Sequence, residues 1–260
     1  ETEATINSVK ELKALLQQKN RELEIEAALE RVRARTMAMQ NSKELADASF
    51  LLVQQVKALG INTWGCAFNI FDENQNSSTE WFSNDEGSLP TYKTPREGIF
   101  RRYYEAGKKG ESLYIETLEG RACKDHYEYL CTLPIVGDAL LQLKESGVPF
   151  PTAQIDHVAY FKYGYLLFIT FEPIPEAYEI FQRFAKVFEQ TYTRFLDLQK
   201  AEAQVREAQI EAALEKVRSR TIGMQRSDEL KEAALLLFQQ IQGLGVPPFA
   251  CGFKIWDDDR

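Results

Sequence analysis

Four cysteines and two histidines are the residues of this 260-residue chain whose types are suited to covalent or metal chemistry. Cys66, Cys123, Cys131 and Cys251 form no C-x-x-C pair, and their spacing matches neither a disulfide framework nor a zinc site. Reduced thiols in a cytoplasmic compartment are expected. Cys123, His126 and Cys131 fall within "RACKDHYEYLC". On a helix, positions 123 and 126 share a face and 131 returns to roughly the same side. That stretch is read as a lid lined by His126, Tyr127 and Leu130 in preference to a three-ligand metal site. Cys66 and Cys251 each sit in the middle of an apolar strand face, as small buried hydrophobes do. His157 neighbours Asp156 in "IDHVAY", but adjacent residues of a strand face opposite ways, so the two are not an acid–base dyad. Trp81 and Tyr92 are placed to floor a pocket. The candidate ligand contacts are therefore Trp81, Tyr92, His126, Tyr127 and His157. No catalytic residue, metal or cofactor is expected, and an unidentified small molecule is the candidate ligand.

The elements that position these residues follow from periodicity and punctuation. "STEWFS" (78–83) follows the turn-rich "DENQNSS" and reads as a strand. Pro95 stands at the first turn of a helix over 96–106, ended by Gly107. "ESLYIETLEG" is a strand, and 121–146 is helical with a break near Pro134. "AQIDHVAYFKYGYLLFITF" (153–171) is a hairpin turning at Tyr163-Gly164, and "YLLFITF", apolar on both faces, is a central strand. From Glu176 no Gly or Pro interrupts a helix until Gly223.

A second signal runs across the whole chain. Residues 21–75 and 206–260 align without a gap, with 28 of 55 positions identical. Gly60 and Gly245 each stop a helix and lead into alternating apolar residues: Trp64, Cys66, Phe68 and Ile70 against Phe249, Cys251, Phe253 and Ile255. The repeat is a whole domain, present once in full and again as its opening. Ile25, Leu29, Val32, Thr36 and Met39, and likewise Ile210, Leu214, Val217, Thr221 and Met224, recur at spacings of 4, 3, 4 and 3. That is a coiled-coil seam, expected to join two chains in parallel. Upstream, Val9, Leu12, Leu16 and Leu23 are also heptad-like, in a register that does not join Ile25 cleanly. Ser42 and Ser227 are N-cap candidates for the helices that follow.

The element order, with the F-x-x-G-x-L core of "FKYGYLLFITF", resembles GAF domains, small-molecule sensor modules of bacterial signalling proteins. The "IEAALERVRARTMAM" connector resembles linkers that precede such modules in bacterial sensor histidine kinases. The resemblance covers 42–196 and, for a second copy, 227–260. It implies an α+β, GAF/PAS-like antiparallel sheet of about five to six strands with flanking helices. The expected organisation is a coiled-coil signalling helix over 1–41, a sensor domain over 42–196, a connector helix over 197–226 and the start of a second sensor domain over 227–260. Neither an N-K-F-D-E cyclic-nucleotide signature nor a bilin-type Cys-His pair appears, and no kinase motif is visible.

Net charge of −8 with mixed signs points away from nucleic acid, and no apolar run is long enough for a membrane span. The chain opens at Glu1 rather than Met, so it is expected to be a piece of a longer protein, with any anchor or kinase output outside it. The resulting expectation is a non-catalytic, homodimeric sensory module of the cytoplasm. The alternatives are a thiol redox enzyme of the free methionine sulfoxide reductase type using Cys123 and Cys131, or a ligand-free scaffold. The strand expected at 249–257 would borrow pairing from another chain or fray.

Overall fold

The computed structural model describes residues 2–254. The chain divides into two units, Glu1–Phe195 and Leu196–Arg260. In the first, helix α1 (Thr2–Met37) turns through a 3-10 segment (Ser42–Glu44) into α2 (Leu45–Ala58). There follow strands β1 (Thr63–Phe71), β2 (Ser77–Asn84), β3 (Gly87–Ser88) and β4 (Tyr92–Pro95), helix α3 (Gly98–Lys108), strand β5 (Leu113–Glu119), helices α4 (Gly120–Leu130) and α5 (Val136–Glu145), and strands β6 (Ala153–Phe161) and β7 (Gly164–Thr170). Helix α6 (Tyr178–Ile222) then runs for 45 residues.

The sheet is antiparallel, in the order β3-β2-β1-β7-β6-β5, with β4 pairing β2. It has seven strands where five to six were expected, and β3 and β4 are too short to leave a periodic signature. Pro95 ends β4 instead of opening a helix, and α3 begins at Gly98. The 153–171 hairpin, the break near Pro134 and the left-handed glycine after α2 (Gly60, φ +77°) are found as the sequence predicts.

The two faces of the sheet differ in chemistry. One packs on α2, where Ser49 Oγ donates to the Cys66 carbonyl at 3.2 Å, and on α6 through stacked rings: Phe168 on Phe181 and Phe68 on Phe188, each pair 4.1 Å between centroids. The other lies under α3, α4 and α5. The register of β1 against β7 shifts between Thr63 and Gly65, and this bulge takes Trp64 out of the alternation shared by Cys66 and Phe68. Trp64 packs instead with Phe82 and Tyr127 under the α4 cover. A bulge re-aims a side chain in this way. Gly65 is needed there, since a Cβ would stand 2.3 Å from the Phe82 ring.

Ile25, Leu29, Val32, Thr36 and Met39, expected as an interchain seam, are all buried inside the first unit. α1 lies along α2, with Arg21 donating to the Leu59 carbonyl at 2.6 Å and Arg31 to Gln55 at 3.0 Å. A 4-3-4-3 stripe fits any apolar partner, and the nearest is the helix folded back onto it. The exposed stripe of α1 is the upstream one: Val9, Leu12, Leu16 and Leu23 are 48–67% exposed.

In the second unit the end of α6 leads through a 3-10 turn (Ser227–Glu229) to α7 (Leu230–Gly243). Gly245 again has positive φ, +78°. Residues 249–254 form no strand, and Phe249 is fully exposed. They have no ladder partner among the described residues, and 255–257 lie outside those residues. Ser227 does not cap the turn. The acceptor is Glu229, whose carboxylate takes the backbone N–H of Gln225 and Arg226. Glu44 does the same for Gln40 and Asn41 in the first unit.

Candidate functional site

Between the sheet and its α3–α5 cover lies a cavity with about 30 Å³ of room for the centres of water molecules. By the usual requirement of 10–15 Å³ each, that is about two waters. Two carboxylates line it, Glu80 from β2 and Asp156 from β6, 3% and 1% exposed. Their strand parity puts them on the covered face. Trp81, next to Glu80, pairs across the ladder with Phe68 and so belongs to the α6 face.

Neutral groups hold both acids. Glu80 accepts from Tyr92 Oη and Asn69 Nδ2, each at 2.6 Å. Asp156 accepts from Tyr103 Oη at 2.6 Å and Gln154 Nε2 at 2.8 Å, and Tyr127 Oη donates to Gln154 Oε1 at 2.7 Å. Burial pushes each carboxyl up to about 7, against the hydrogen bonds, which favour the ionised form. The charge of Asp156 raises Glu80 further. Desolvation raises Tyr92 and Tyr103, so the hydroxyls remain donors. His126, also at the wall, is pushed down to about 4 by burial and by the charge of Arg102, which leaves it neutral. Its Nδ1 has no hydrogen-bond partner, nor has Asn69 Oδ1 beside Glu80.

Of the five expected contacts, the structure brings Tyr92, His126 and Tyr127 together at the cavity and excludes Trp81 and His157. His157 lies on the other face against Tyr178 and Phe181 of α6, with Nε2 2.9 Å from Thr170 Oγ1. Burial lowers it to about 4, and its position is that of a core histidine. Glu80, Asp156 and Tyr103 were missed. The available signal was a lone acid inside each of two strands, Glu80 at the parity of Phe82 and Asp156 at the parity of Val158.

Cys123 is buried, with Sγ donating to the Pro151 carbonyl at 3.3 Å. Desolvation raises both Cys123 and Cys131 above their ordinary value, away from the thiolate that redox attack requires. Among the described residues no group of three or more His, Cys, Asp or Glu is placed to hold a metal ion. None of their helices is long and apolar enough to cross a membrane.

Comparison with models of known protein families returned no match, and comparison with curated proteins returned none either.

Proposed function

We propose that the chain is a non-catalytic sensory and dimerisation module of a bacterial signal-transduction protein, with a GAF-like sensor domain and a cytoplasmic location. The observation that carries this reading is the division of labour across one sheet. A polar cavity under a helical cover occupies one face, and a 45-residue helix stacks its first turns on the other. Occupancy of the cavity shifts the population of sheet and cover states, and α6 carries that bias along its length. The dimer forms in parallel through α1, where Val9, Leu12, Leu16 and Leu23 present a heptad-spaced apolar stripe to solvent.

The test is hydrogen exchange on the full chain with the cavity filled from its lid by Leu130→Trp. The expected result is altered protection in residues 178–195, behind the sheet, as well as in α4. A change confined to α4 and its immediate neighbours would remove the coupling on which the reading depends. The ligand-free scaffold remains the second reading, favoured by the small size of the cavity. Native mass spectrometry separates the two, since a scaffold carries no co-purifying small molecule.

A further inference from the structure

The groups around the cavity leave mainly acceptors unused. The Tyr92, Tyr103 and Tyr127 hydroxyls each already donate their proton, and the Asn69 and Gln154 amides each donate one of their two N–H groups. What remains is chiefly acceptor capacity. Each carboxylate oxygen of Glu80 and Asp156 retains a lone pair, and His126 Nδ1 is buried with no partner. Neutral His126 offers that nitrogen as an acceptor when its proton sits on Nε2. The rings of Trp64, Phe82, Phe100 and Tyr127 complete the wall, and aromatic faces carry negative charge density that attracts cations. No positive group pairs with either buried acid among the described residues, since all their hydrogen-bond partners are neutral. Arg102, the nearest guanidinium to His126 by its effect, is held bidentate by Glu116 at 2.7 and 3.1 Å.

We infer that this cavity takes a small organic ammonium ion, seated against the carboxylates of Glu80 and Asp156. The inference rests on the proposal that the cavity is a ligand site, and it names the class of ligand. An ammonium group supplies three N–H donors and one positive charge to a space that offers acceptors and negative charge. Phosphates, carboxylates and cyclic nucleotides are disfavoured by the same groups, because a buried anion beside two carboxylates has no counter-charge. Size sets a further limit. Room for about two waters admits an ion of two or three heavy atoms, and a larger amine requires movement of the α4–α5 cover.

Binding should track ionisation of the two acids. Tyr92, Tyr165 and Asp156 face Glu80, and Tyr103, Tyr165, Tyr127, Cys123 and Glu116 face Asp156. The tyrosines and Cys123 are raised, Glu116 is lowered by its pairing with Arg102 and Tyr114, and His126 lies near 4. Between pH 6 and 8 the acids are therefore the groups of this cavity that change charge.

The experiment is calorimetric titration of the full chain with ethylammonium, ethanol and acetate as size-matched cation, neutral and anion. Ethylammonium should bind and the other two should not. Its affinity should fall about tenfold from pH 8 to pH 6, the loss of ionised acid expected of a carboxyl near 7. Glu80→Gln and Asp156→Asn, whose amide oxygens still accept from Tyr92 and Tyr103, should each weaken binding at least tenfold. Asp85→Asn, on the exposed surface, should not. Equal binding of ethanol or acetate, or undiminished binding of ethylammonium to both amide variants, overturns the ammonium assignment and leaves the sensory reading intact. Absence of binding by all three probes, with no co-purifying molecule and no coupling to α6, overturns both.

Discussion

Leu29 and Leu214 hold the same place in two nearly identical segments, yet the first is 2% exposed and the second 55%. What the two copies share is local. In each, an arginine four residues before the end of the connector motif reaches one acid in the 3-10 turn and one at the start of the next helix: Arg35 to Glu44 and Asp47, Arg220 to Glu229 and Glu232. In each a threonine hydroxyl donates back to the carbonyl four residues earlier, Thr36 to Val32 and Thr221 to Val217. In each an alanine pair is buried, Ala28 with Ala48 and Ala213 with Ala233. What differs is everything that depends on distant residues. Leu52, Val53 and Val56 of α2 are fully covered in the first unit, while their counterparts Leu237, Phe238 and Ile241 in α7 are half-buried. The repeat thus separates structure encoded within about twenty residues from structure that needs a sheet.

The sharpest way to break this contrast is a matched truncation. Leu29→Ala should cost about 3 kcal/mol, as for a buried leucine. Leu214→Ala should cost less than about 0.5 kcal/mol. Denaturant unfolding of the full chain, followed by probes in each unit, measures both, and equal costs would abolish the distinction.

A pH titration of stability sharpens it next, because the buried acids belong to the first unit alone. Glu80 and Asp156 sit at about 7 in the folded chain, against ordinary values of 4.5 and 3.8. The folded state therefore holds protons that the unfolded chain has already released. Stability from this source is complete below about pH 4, declines as the pH rises, and is gone above about 7. The loss is about 3 kcal/mol for Glu80 and about 4 kcal/mol for Asp156. Glu80→Gln should remove about half of that decline and leave the second unit's unfolding unmoved. A variant curve that runs parallel to the wild type across pH 4–8 would contradict the burial argument.

The smallest effect tests the shared part. Arg35→Ala and Arg220→Ala should each cost about 0.5 kcal/mol, the scale of half-exposed ion pairs, and by similar amounts in their own units. A cost confined to Arg35 would mean that the turn needs the sheet after all.

The same division explains what could be read in advance. Turns, glycine stops and the 153–171 hairpin are local, and they were legible. Tyr92, His126 and Tyr127 were legible because each lies where an aromatic or histidine faces the lid or the neighbouring edge. The stripe at Ile25–Met39 was legible as apolar, but a stripe does not carry the name of its partner, and α2 rather than a second chain covers it. Strand parity separated Asp156 from His157 without revealing which face was hollow, so the histidine was chosen and the acid passed over. Trp64 was assigned to the wrong face because a bulge changes parity without leaving a mark in the residue types.

Ile135, between α4 and α5, has a backbone φ of +72°, a conformation that costs a β-branched residue on the order of 1–3 kcal/mol. It sits in the cover of a cavity too narrow for most ligands to enter as it stands. A ligand larger than the cavity then needs the cover to move, and the cover is strained at one joint. Association should be governed by an opening step, with an observed rate that levels off as ligand concentration rises instead of climbing toward the diffusion limit. Under the proposed sensory role this sets a clock: the signal is averaged over the interval between openings, and brief fluctuations in ligand pass unrecorded.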